Sequence, residues 1–306
     1  MAPVYLDMDP GHDDALALLV ALACLPVQGV TVAAGNQTVD KTLRNARRVI
    51  DAAGVPALAL RQGAEHPLFR ALVTAGSVHG TSGLDGYDFH DPQPIQESPE
   101  PALGWLRSQM SGNREPATWI ATAPLTNVAS FILGHPDLLG RIGMISLMGG
   151  ALQGGNITEC AEFNFYVDPD AAAIVLGSGI PIRMVGLDVT HKALLSQRGI
   201  QRFRQLKGQV GEMLYGLFTF FAGHEPDATD KGVPIHDVLA VAAAAHPEFF
   251  TWLSADLTVE RCDPHCRGQV QIVKGAALGS LQVATDIDTG RFFEWMWDVL
   301  VGQYGS

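Results

Sequence analysis

The sequence predicts an open α/β fold with a mainly parallel (mixed) sheet and helices on both faces. Short apolar runs alternate along the chain with helical patterns, and polar or glycine residues follow several of these runs. No linker rich in proline, glycine or serine divides the 306 residues. Such alternation is typical of a parallel sheet covered by helices. We therefore predict a single domain over residues 1–306.

The apolar runs are the predicted strands, and helices fill most of the intervals between them. The strands are Val4–Leu6, Val30–Ala33, Ala57–Leu60, Thr118–Thr122, Gly143–Met148 and Ile182–Leu187. The helices are 13–25, 38–53, 98–110, 125–133, 168–177, 198–222, 236–245 and 289–303. Between 254 and 286, three β-rich runs predict an appended meander: Leu257–Glu260, Gln269–Val273 and Leu281–Thr285.

Composition and charge narrow the class of partner. The chain is 47% hydrophobic and 17% charged, with a net charge of -12. These values favour a globular protein and argue against nucleic acid or an anionic membrane as partner. The uncharged stretch after Asp14 is broken by Pro26 and Gln28, so its apolar part is too short to span a bilayer. No apolar signal segment precedes Asp7, and we expect a cytoplasmic protein.

The four cysteines are predicted to be reduced, as is usual for a cytosolic protein. Cys262 and Cys266 bracket His265, a spacing that suggests zinc. Two more ligands at suitable spacing are missing, so the sequence favours free thiols over a zinc site.

The densest chemical signal is the segment Asp7-Met8-Asp9-Pro10-Gly11-His12-Asp13-Asp14, which places four carboxylates at a strand-to-helix turn. Asp7 and Asp9 share a strand face, and Asp13 and Asp14 lie in the first helical turn, so the four can converge. Like charges this close oppose folding unless an oxygen-preferring ion such as calcium or magnesium offsets them. The alternative is that Asp13 caps the helix and the other acids are solvated turn residues. The crowding favours a metal site.

Other polar segments follow predicted strands, on the rim where ligands bind in such sheets. Gly35–Asn36 follows the second strand, Ala123–Asn127 the fourth, and Gly149–Gly150 and then Gly154–Asn156 the fifth. Downstream, His236–Asp237 opens a helix of small apolar residues. Asp237 is then either a simple helix cap or, with His236, part of a catalytic imidazole and carboxylate pair.

Together these segments resemble the inosine-uridine nucleoside hydrolases, whose N-terminal pattern Asp-x-Asp-Pro-Gly-x-Asp-Asp the chain matches throughout. The resemblance runs nearly end to end, through ten blocks: Gly35–Asn36, His79–Gly80, Pro124–Asn127, Met148–Gly150, Gly155–Asn156, Ala161–Asn164, Asp168–Ala172, Leu187–Thr190, His236–Asp237 and Arg267–Gln269. It implies a nucleoside hydrolase-like fold, a bound calcium ion, and hydrolysis of ribonucleosides to ribose and free base. In this reaction an aspartate-activated, metal-bound water attacks the anomeric carbon.

The resemblance also implies roles for individual residues. The metal ligands would be Asp9, Asp14, Asp237 and the backbone carbonyl of Thr126, and Asp9 would also activate the water. The predicted substrate contacts are Asp13, Asn36, His79, Met148, Asn156, Glu162, Phe163 and Asn164. His236 is the predicted proton donor to the leaving base, because a neutral-range pKa suits a general acid. A homodimer or homotetramer is also implied.

Two departures from the family pattern leave questions open. Val238 replaces the proline that usually follows the His-Asp pair, and no tyrosine occurs between Phe218 and Asp237 to cover the base. His224 could partly substitute for it, although a surface histidine is the simpler interpretation. Purine or pyrimidine preference therefore cannot be carried over.

Rival functions follow from the same residues. An aspartate-nucleophile phosphohydrolase would attack with Asp7, but Pro10–Gly11 does not fit that motif. A calcium-dependent nucleoside-binding protein without turnover, or a hydrolase of another N-riboside, remains an alternative. The presence of Asp9 and His236 favours an enzyme.

Overall fold

An eight-stranded sheet forms the centre of the computed structural model, which describes residues 2–89, 100–273 and 281–305. The strands are β1 (Val4–Met8), β2 (Val27–Val32), β3 (Ala59–Gln62), β4 (Ala117–Ala121), β5 (Ile142–Met148), β6 (Ile182–Val185), β7 (Leu194–Leu195), β8 (Val233–Pro234), β9 (Phe250–Ser254), β10 (Leu257–Val259), β11 (Val270–Ile272) and β12 (Leu281–Ile287). The central order is β3-β2-β1-β4-β5-β6-β12-β9. All neighbours are parallel except β12 and β9, which confirms the predicted mainly parallel, mixed sheet.

The helices fill most intervals between the strands, as the sequence predicts. They are α1 (His12–Cys24), α2 (Val39–Ala52), α3 (Gly76–His79), α4 (Ala102–Gly112), α5 (Thr126–Gly134), α6 (Phe163–Val167), α7 (Pro169–Leu176), α8 (Leu187–Thr190), α9 (Gln197–Arg202), α10 (Gly208–Phe221), α11 (Val238–Ala245) and α12 (Thr289–Tyr304). Short 3-10 turns cover Pro136–Arg141, Phe203–Gln205 and Pro247–Phe249. No helix within the described ranges has both the length and the apolar character of a bilayer span.

The alternation of side chains along the strands divides the core into two apolar clusters. On β1, Val4 and Leu6 join a cluster with residues of α1, α2, α10, α11 and α12. Tyr5 points to the opposite face and joins a cluster with residues of α4, α5 and α7. Because successive strand residues face opposite sides, both faces of the sheet are buried by helices, as predicted.

The chain order creates a crevice at the carboxyl end of the sheet. From β1 the chain moves outward through β2 to β3 and then returns to β4, on the other side of β1. The connections after β1 and β4 therefore diverge, and such a switch point is where open α/β sheets bind ligands. Asp9 follows β1 and Thr122 follows β4, so both lie at this crevice.

The predicted helix 198–222 is wrong as a single element. α9 ends at Arg202, the 3-10 turn Phe203–Gln205 follows, and α10 begins at Gly208. Gly208 has a φ of +61°, in the left-handed region that glycine enters readily. A change of backbone direction at this glycine separates two helices that share one apolar pattern.

The appended meander between 254 and 286 is also partly wrong. β10 and β11 pair with each other in an antiparallel sheet, as a meander requires. β12 instead lies inside the central sheet, parallel to β6 and antiparallel to β9, a strand that the sequence reading missed. In this position β6 and β9 pair with the two edges of β12, and the apolar side chains of Leu281 and Val283 are buried.

The prediction that all cysteines are reduced is wrong for one pair. Cys160 and Cys266 form a disulfide with a Cα–Cα distance of 5.4 Å, whereas Cys24 and Cys262 are free. The suspected zinc grouping around His265 therefore does not form, because the Cys266 sulfur is already bonded. The bond joins the segment before α6 to the turn between β10 and β11.

Reduction of this disulfide is expected to destabilise the protein. The bond spans 106 residues, and its loss should lower the free energy of unfolding by about 2–4 kcal/mol, mainly through a freer unfolded chain. Thermal melting with and without a reductant, and of Cys160→Ser, measures this change. Cys262→Ser is the control and should melt like the native protein. Titration of four free thiols instead of two in the unreduced, unfolded protein would contradict the prediction.

Candidate active site

Three buried carboxylates meet at the crevice. Asp13 and Asp14 lie in the first turn of α1, and Asp237 immediately precedes α11. One carboxylate oxygen from each lies within 4.8 Å of the other two. Each of the three side chains is at most 4% exposed. Helix N-termini favour such charges, but three carboxylates at this separation repel one another strongly.

Asp9 and Asp14 are held in place by hydrogen-bond donors from neighbouring segments. The Asp14 carboxylate accepts the Thr122 hydroxyl at 2.7 Å, the Gly11 backbone N–H at 3.1 Å and the Asn36 side-chain amide at 3.2 Å. Asp9 Oδ2 accepts the backbone N–H of Asn36 at 2.6 Å. Asp9 Oδ1 is buried and has no hydrogen-bond partner among the described residues. A buried oxygen of this kind calls for a ligand.

Burial raises the pKa of each carboxylate in this group. Desolvation raises the pKa of Asp13 to about 6, and desolvation together with the Asp13 charge raises that of Asp14 to about 7. The pKa values of Asp9 and Asp237 lie well above the ordinary range, first through burial and then through the neighbouring carboxylates. A divalent cation with oxygen ligands would offset this repulsion, and the donor set fits calcium or magnesium.

Asp7 differs from the expectation that all four acids of the turn converge. Its Oδ1 accepts the Thr31 hydroxyl at 2.5 Å and the Asn127 side-chain amide at 2.7 Å. Burial raises its pKa to about 7. Asp7 therefore lies between the sheet and α5, where its contacts with β2 and α5 support the acidic turn.

One cavity at the carboxyl edge brings the predicted substrate contacts together. Its wall contains all eight of them, together with His236 and Asp237: Asp13, Asn36, His79, Met148, Asn156, Glu162, Phe163 and Asn164. These residues come from segments spread over more than half of the chain. Their individual roles stay predictions, but the structure places them around one ligand-sized space.

The polar groups of this wall are oriented by backbone contacts. Glu162 accepts the N–H groups of Gly150, Asn164 and Phe165 at 2.8, 2.8 and 3.1 Å. The Asn164 amide nitrogen donates to the Thr122 carbonyl at 2.8 Å, which leaves Asn164 Oδ1 free to accept. Asn156 Oδ1 accepts the Phe163 N–H at 3.0 Å, which leaves the Asn156 amide nitrogen as a donor.

His236 and His79 line the cavity, and burial lowers the pKa of both imidazoles. His236 is buried with its Nδ1 2.8 Å from the Thr190 hydroxyl, and desolvation lowers its pKa to about 3. His79 Nδ1 lies 3.0 Å from His12 Nδ1, and burial lowers the His79 pKa well below its usual value. Burial therefore favours the neutral form of His236, the predicted general acid.

Thr126 does not lie where the predicted metal ligand should be. Its hydroxyl donates to Asp168 at 2.7 Å. Thr126 is also the first residue of α5, so its carbonyl points along the helix toward the N–H four residues later. The threonine at the acidic group is Thr122, which donates to Asp14 and lines the cavity. Thr122 directly follows β4, and this position is the sequence signal that could have identified it as the threonine near the acidic group.

Phe221 and Glu225, near the end of α10, also line the cavity and were not predicted as site residues. Burial raises the pKa of Glu225 to about 7, and its Oε1 accepts the Asp227 N–H at 3.0 Å. His224 instead stacks on Phe220 with ring centroids 4.0 Å apart and is exposed. No sequence motif marks Phe221 or Glu225; their placement depends on how α10 ends.

Comparison with known proteins gives one family. The family sequence model of the inosine-uridine preferring nucleoside hydrolases matches residues 4–294 of the chain. The pyrimidine-specific ribonucleoside hydrolase RihA of Salmonella schwarzengrund is 40% identical over 299 residues, covering 95% of this chain and 96% of the relative. RihA of Klebsiella pneumoniae is 41% identical over 274 residues, covering 88% of each chain. A purine-preferring ribonucleoside hydrolase from Gardnerella vaginalis superposes with a TM-score of 0.92 at 30% identity, covering 98% of each chain.

The metal-free protein is expected to lose stability between about pH 6.5 and 8. Asp14 and Asp7 have pKa values of about 7 in the folded protein, whereas an unfolded aspartate titrates near 3.9. The folded state holds protons that the unfolded chain has released, so this contribution is complete below about pH 4 and is lost as pH rises through 7. Burial lowers the pKa values of His12, His79 and His236 in the folded protein, whereas an unfolded histidine titrates near 6.5, so these three histidines oppose the loss near pH 6.5. The carboxylate effect is therefore clearest above about pH 7.

Thermal melting of the chelated and metal-loaded protein across this pH range measures the effect. The melting temperature of the chelated protein should fall, and the stabilisation by added divalent cation should grow with pH. Asp14→Asn should show a weaker pH dependence without metal. A chelated protein whose melting temperature is constant or rises from pH 7 to 8 would argue against buried, unpaired carboxylates.

Proposed function

The chain belongs to the inosine-uridine preferring nucleoside hydrolase family and is a ribonucleoside hydrolase; from this premise, we propose that it prefers pyrimidine ribonucleosides and uses calcium. The relatives named pyrimidine-specific are about 40% identical to it, whereas the purine-preferring structure is 30% identical. The observation that carries the proposed reaction is one cavity whose wall contains the eight predicted contact residues and Asp237, so that predicted substrate contacts and the acidic group meet there.

Calcium is proposed because the available ligands are buried oxygens. The residues that would hold it are Asp9, Asp14 and Asp237, with the Thr122 carbonyl in place of that of Thr126. Asp9 supports this set through its unpartnered Oδ1. When bound, the ion would lower the pKa of water and offset the mutual repulsion of the carboxylates.

Ribose recognition follows from the atoms that the wall leaves free. The carboxylates of Asp13 and Glu162, and Oδ1 of Asn164, can accept hydrogen bonds from ribose hydroxyls. The Asn156 amide nitrogen can donate one in return. Since the backbone already holds these groups, little reorganisation would be needed when positive charge develops on the sugar.

Asp9 is the proposed proton acceptor for the attacking water. The Asn36 N–H fixes one of its oxygens, and the other has no protein partner. The water's proton would pass to Asp9 as its oxygen forms a bond with the anomeric carbon and the bond to the base breaks. The two electrons of the broken bond stay on the departing base, which must then be neutralised.

His236 is proposed to hydrogen-bond to the departing base rather than to act as a strong acid. Its Nδ1 is engaged by Thr190, and its ring lines the cavity. A neutral imidazole can hydrogen-bond to the base through the ring nitrogen that Thr190 does not engage. The negative charge that builds up on the base raises the pKa of the ring as the bond breaks, so the ring would take up a proton from solvent and pass it to the base. In this proposal His236 is not protonated before the substrate reacts.

Ribose release from a panel of nucleosides tests the proposed reaction and preference. Uridine and cytidine should give kcat/KM values at least about 10-fold above those for inosine and guanosine. The 2′-deoxynucleosides should react far more slowly, since they leave buried acceptors unpaired. Asp9→Ala should lower kcat by about 10²–10⁴-fold while the fold, judged by circular dichroism, is kept.

The panel also separates the alternatives. Binding of nucleosides without ribose release from any of them would favour a binding protein. Faster release from inosine than from uridine would overturn the pyrimidine preference alone.

His236→Ala should slow natural nucleosides much more than a riboside with a weakly basic leaving group. Natural nucleosides need stabilisation of the departing base, whereas a nitrophenolate is stable enough to leave without protonation. We expect kcat for uridine to fall by about 10²-fold or more, and that for nitrophenyl riboside to change by less than about 10-fold. Phe163→Leu, which alters the wall without touching a proton donor, is the control and should affect both substrates alike. Equal losses for His236→Ala would assign His236 to binding instead.

A further inference from the structure

A second group of metal-type ligands lies beside the cavity and differs in chemistry from the acidic group. His191, Asp227 and His236 each place one ligand atom within 4.8 Å of the other two. His191 Nε2 lies 2.9 Å from Asp227 Oδ2, and the rings of His191 and His236 are 5.7 Å apart. Neither His191 nor Asp227 has a role in the proposed hydrolysis.

Two imidazoles and one carboxylate are ligands typical of zinc and related divalent ions, not of calcium. Zinc bonds nitrogen and oxygen at about 2.0–2.2 Å, so tetrahedral ligand atoms lie about 3.4 Å apart. Ligand atoms within 4.8 Å can reach this geometry through side-chain rotations. A bound metal would replace the direct hydrogen bond between His191 Nε2 and Asp227 Oδ2.

The surroundings of the three residues also suit a metal site. The Thr190 hydroxyl holds His236 Nδ1 at 2.8 Å, a contact of the kind that orients metal-bound histidines and leaves Nε2 as the ligand. His191 and Asp227 have side chains 40% and 25% exposed, so an ion can enter from solvent. His236 forms the inner side, where it also lines the cavity.

We propose that His191, Asp227 and His236 form a second metal site, selective for zinc-like ions, at the mouth of the cavity. Solvent would complete the coordination. An ion bound there engages the His236 ring and narrows the space for the base, so it inhibits hydrolysis. The inhibition rests on the proposed function, but the binding does not.

Isothermal titration with Zn²⁺ in saturating calcium tests the binding directly. Calcium occupies the oxygen ligands, so the native protein should bind one Zn²⁺ at the second site. Loss of an outer-shell contact typically weakens metal affinity 10–100-fold, and loss of a ligand should weaken it more. We therefore expect H191N and D227N each to raise the Kd by at least about 100-fold. Circular dichroism checks that both variants fold.

Two control variants separate the site from other zinc-binding groups. His246 forms a similar surface pair with Glu248 at 2.9 Å, so H246N removes an equivalent exposed imidazole elsewhere. C262S removes the exposed thiol. Both should bind Zn²⁺ like the native protein. Absence of the Zn²⁺ site, unchanged affinity in H191N and D227N, or equal weakening in H246N would each overturn the proposal.

Ribose release measured with added Zn²⁺ tests the consequence for hydrolysis. Zn²⁺ at ten times its Kd should reduce the native rate about 10-fold, while H191N should keep most of its zinc-free rate at that concentration. Zinc binding with no effect on the rate would overturn the inhibition alone. If no nucleoside is hydrolysed, the titration still decides whether the site exists, so the two proposals fail separately.

Discussion

The structure depends on negative charge buried at the carboxyl end of the sheet. Asp9, Asp13, Asp14 and Asp237 are almost fully buried, and no cationic side chain lines their cavity among the described residues. Favourable helix termini contribute about 0.3–1 kcal/mol per charge, less than the repulsion between carboxylates a few ångströms apart at low dielectric. The surroundings are built around this group: a Cβ at Gly35 would collide with the Asp9 carboxylate. Such an arrangement is stable only with a cation or with bound protons.

The fold places these charges by bringing two buried helices to one crevice. α1 and α11 are composed largely of small and branched apolar residues and pack against each other in the same apolar cluster. Both begin at the carboxyl edge of the sheet, so their first residues meet although they are more than 200 positions apart. Burial of the apolar helices on the sheet thus holds the charged groups together. The geometry of the site therefore depends on the same helix packing that stabilises the core.

The sequence predicts features that neighbouring residues determine. It does not predict features that depend on where a strand ends or on pairing between distant segments. The acidic turn and the alternation of strands and helices could be predicted because neighbouring positions determine them. The eight predicted substrate contacts that line the cavity came instead from the resemblance to a family. Thr122 and Thr126 lie four residues apart, and only the residue at which β4 ends shows which of them reaches the acidic group. The Cys160–Cys266 bond and the central position of β12 join segments far apart in the chain. No local pattern contains that information.

The floor and the mouth of the cavity are under different constraints. Its floor is built from motif residues that backbone contacts hold in place, such as Glu162, and these include the proposed contacts to ribose, which all ribonucleosides share. The mouth, which we define by Phe221 and Glu225, is formed by the end of α10 and the loop after it. The floor can therefore stay constant while the mouth changes, which accounts for one fold in relatives named for pyrimidines and for purines. Base preference must then be sought in the residues that no motif marks.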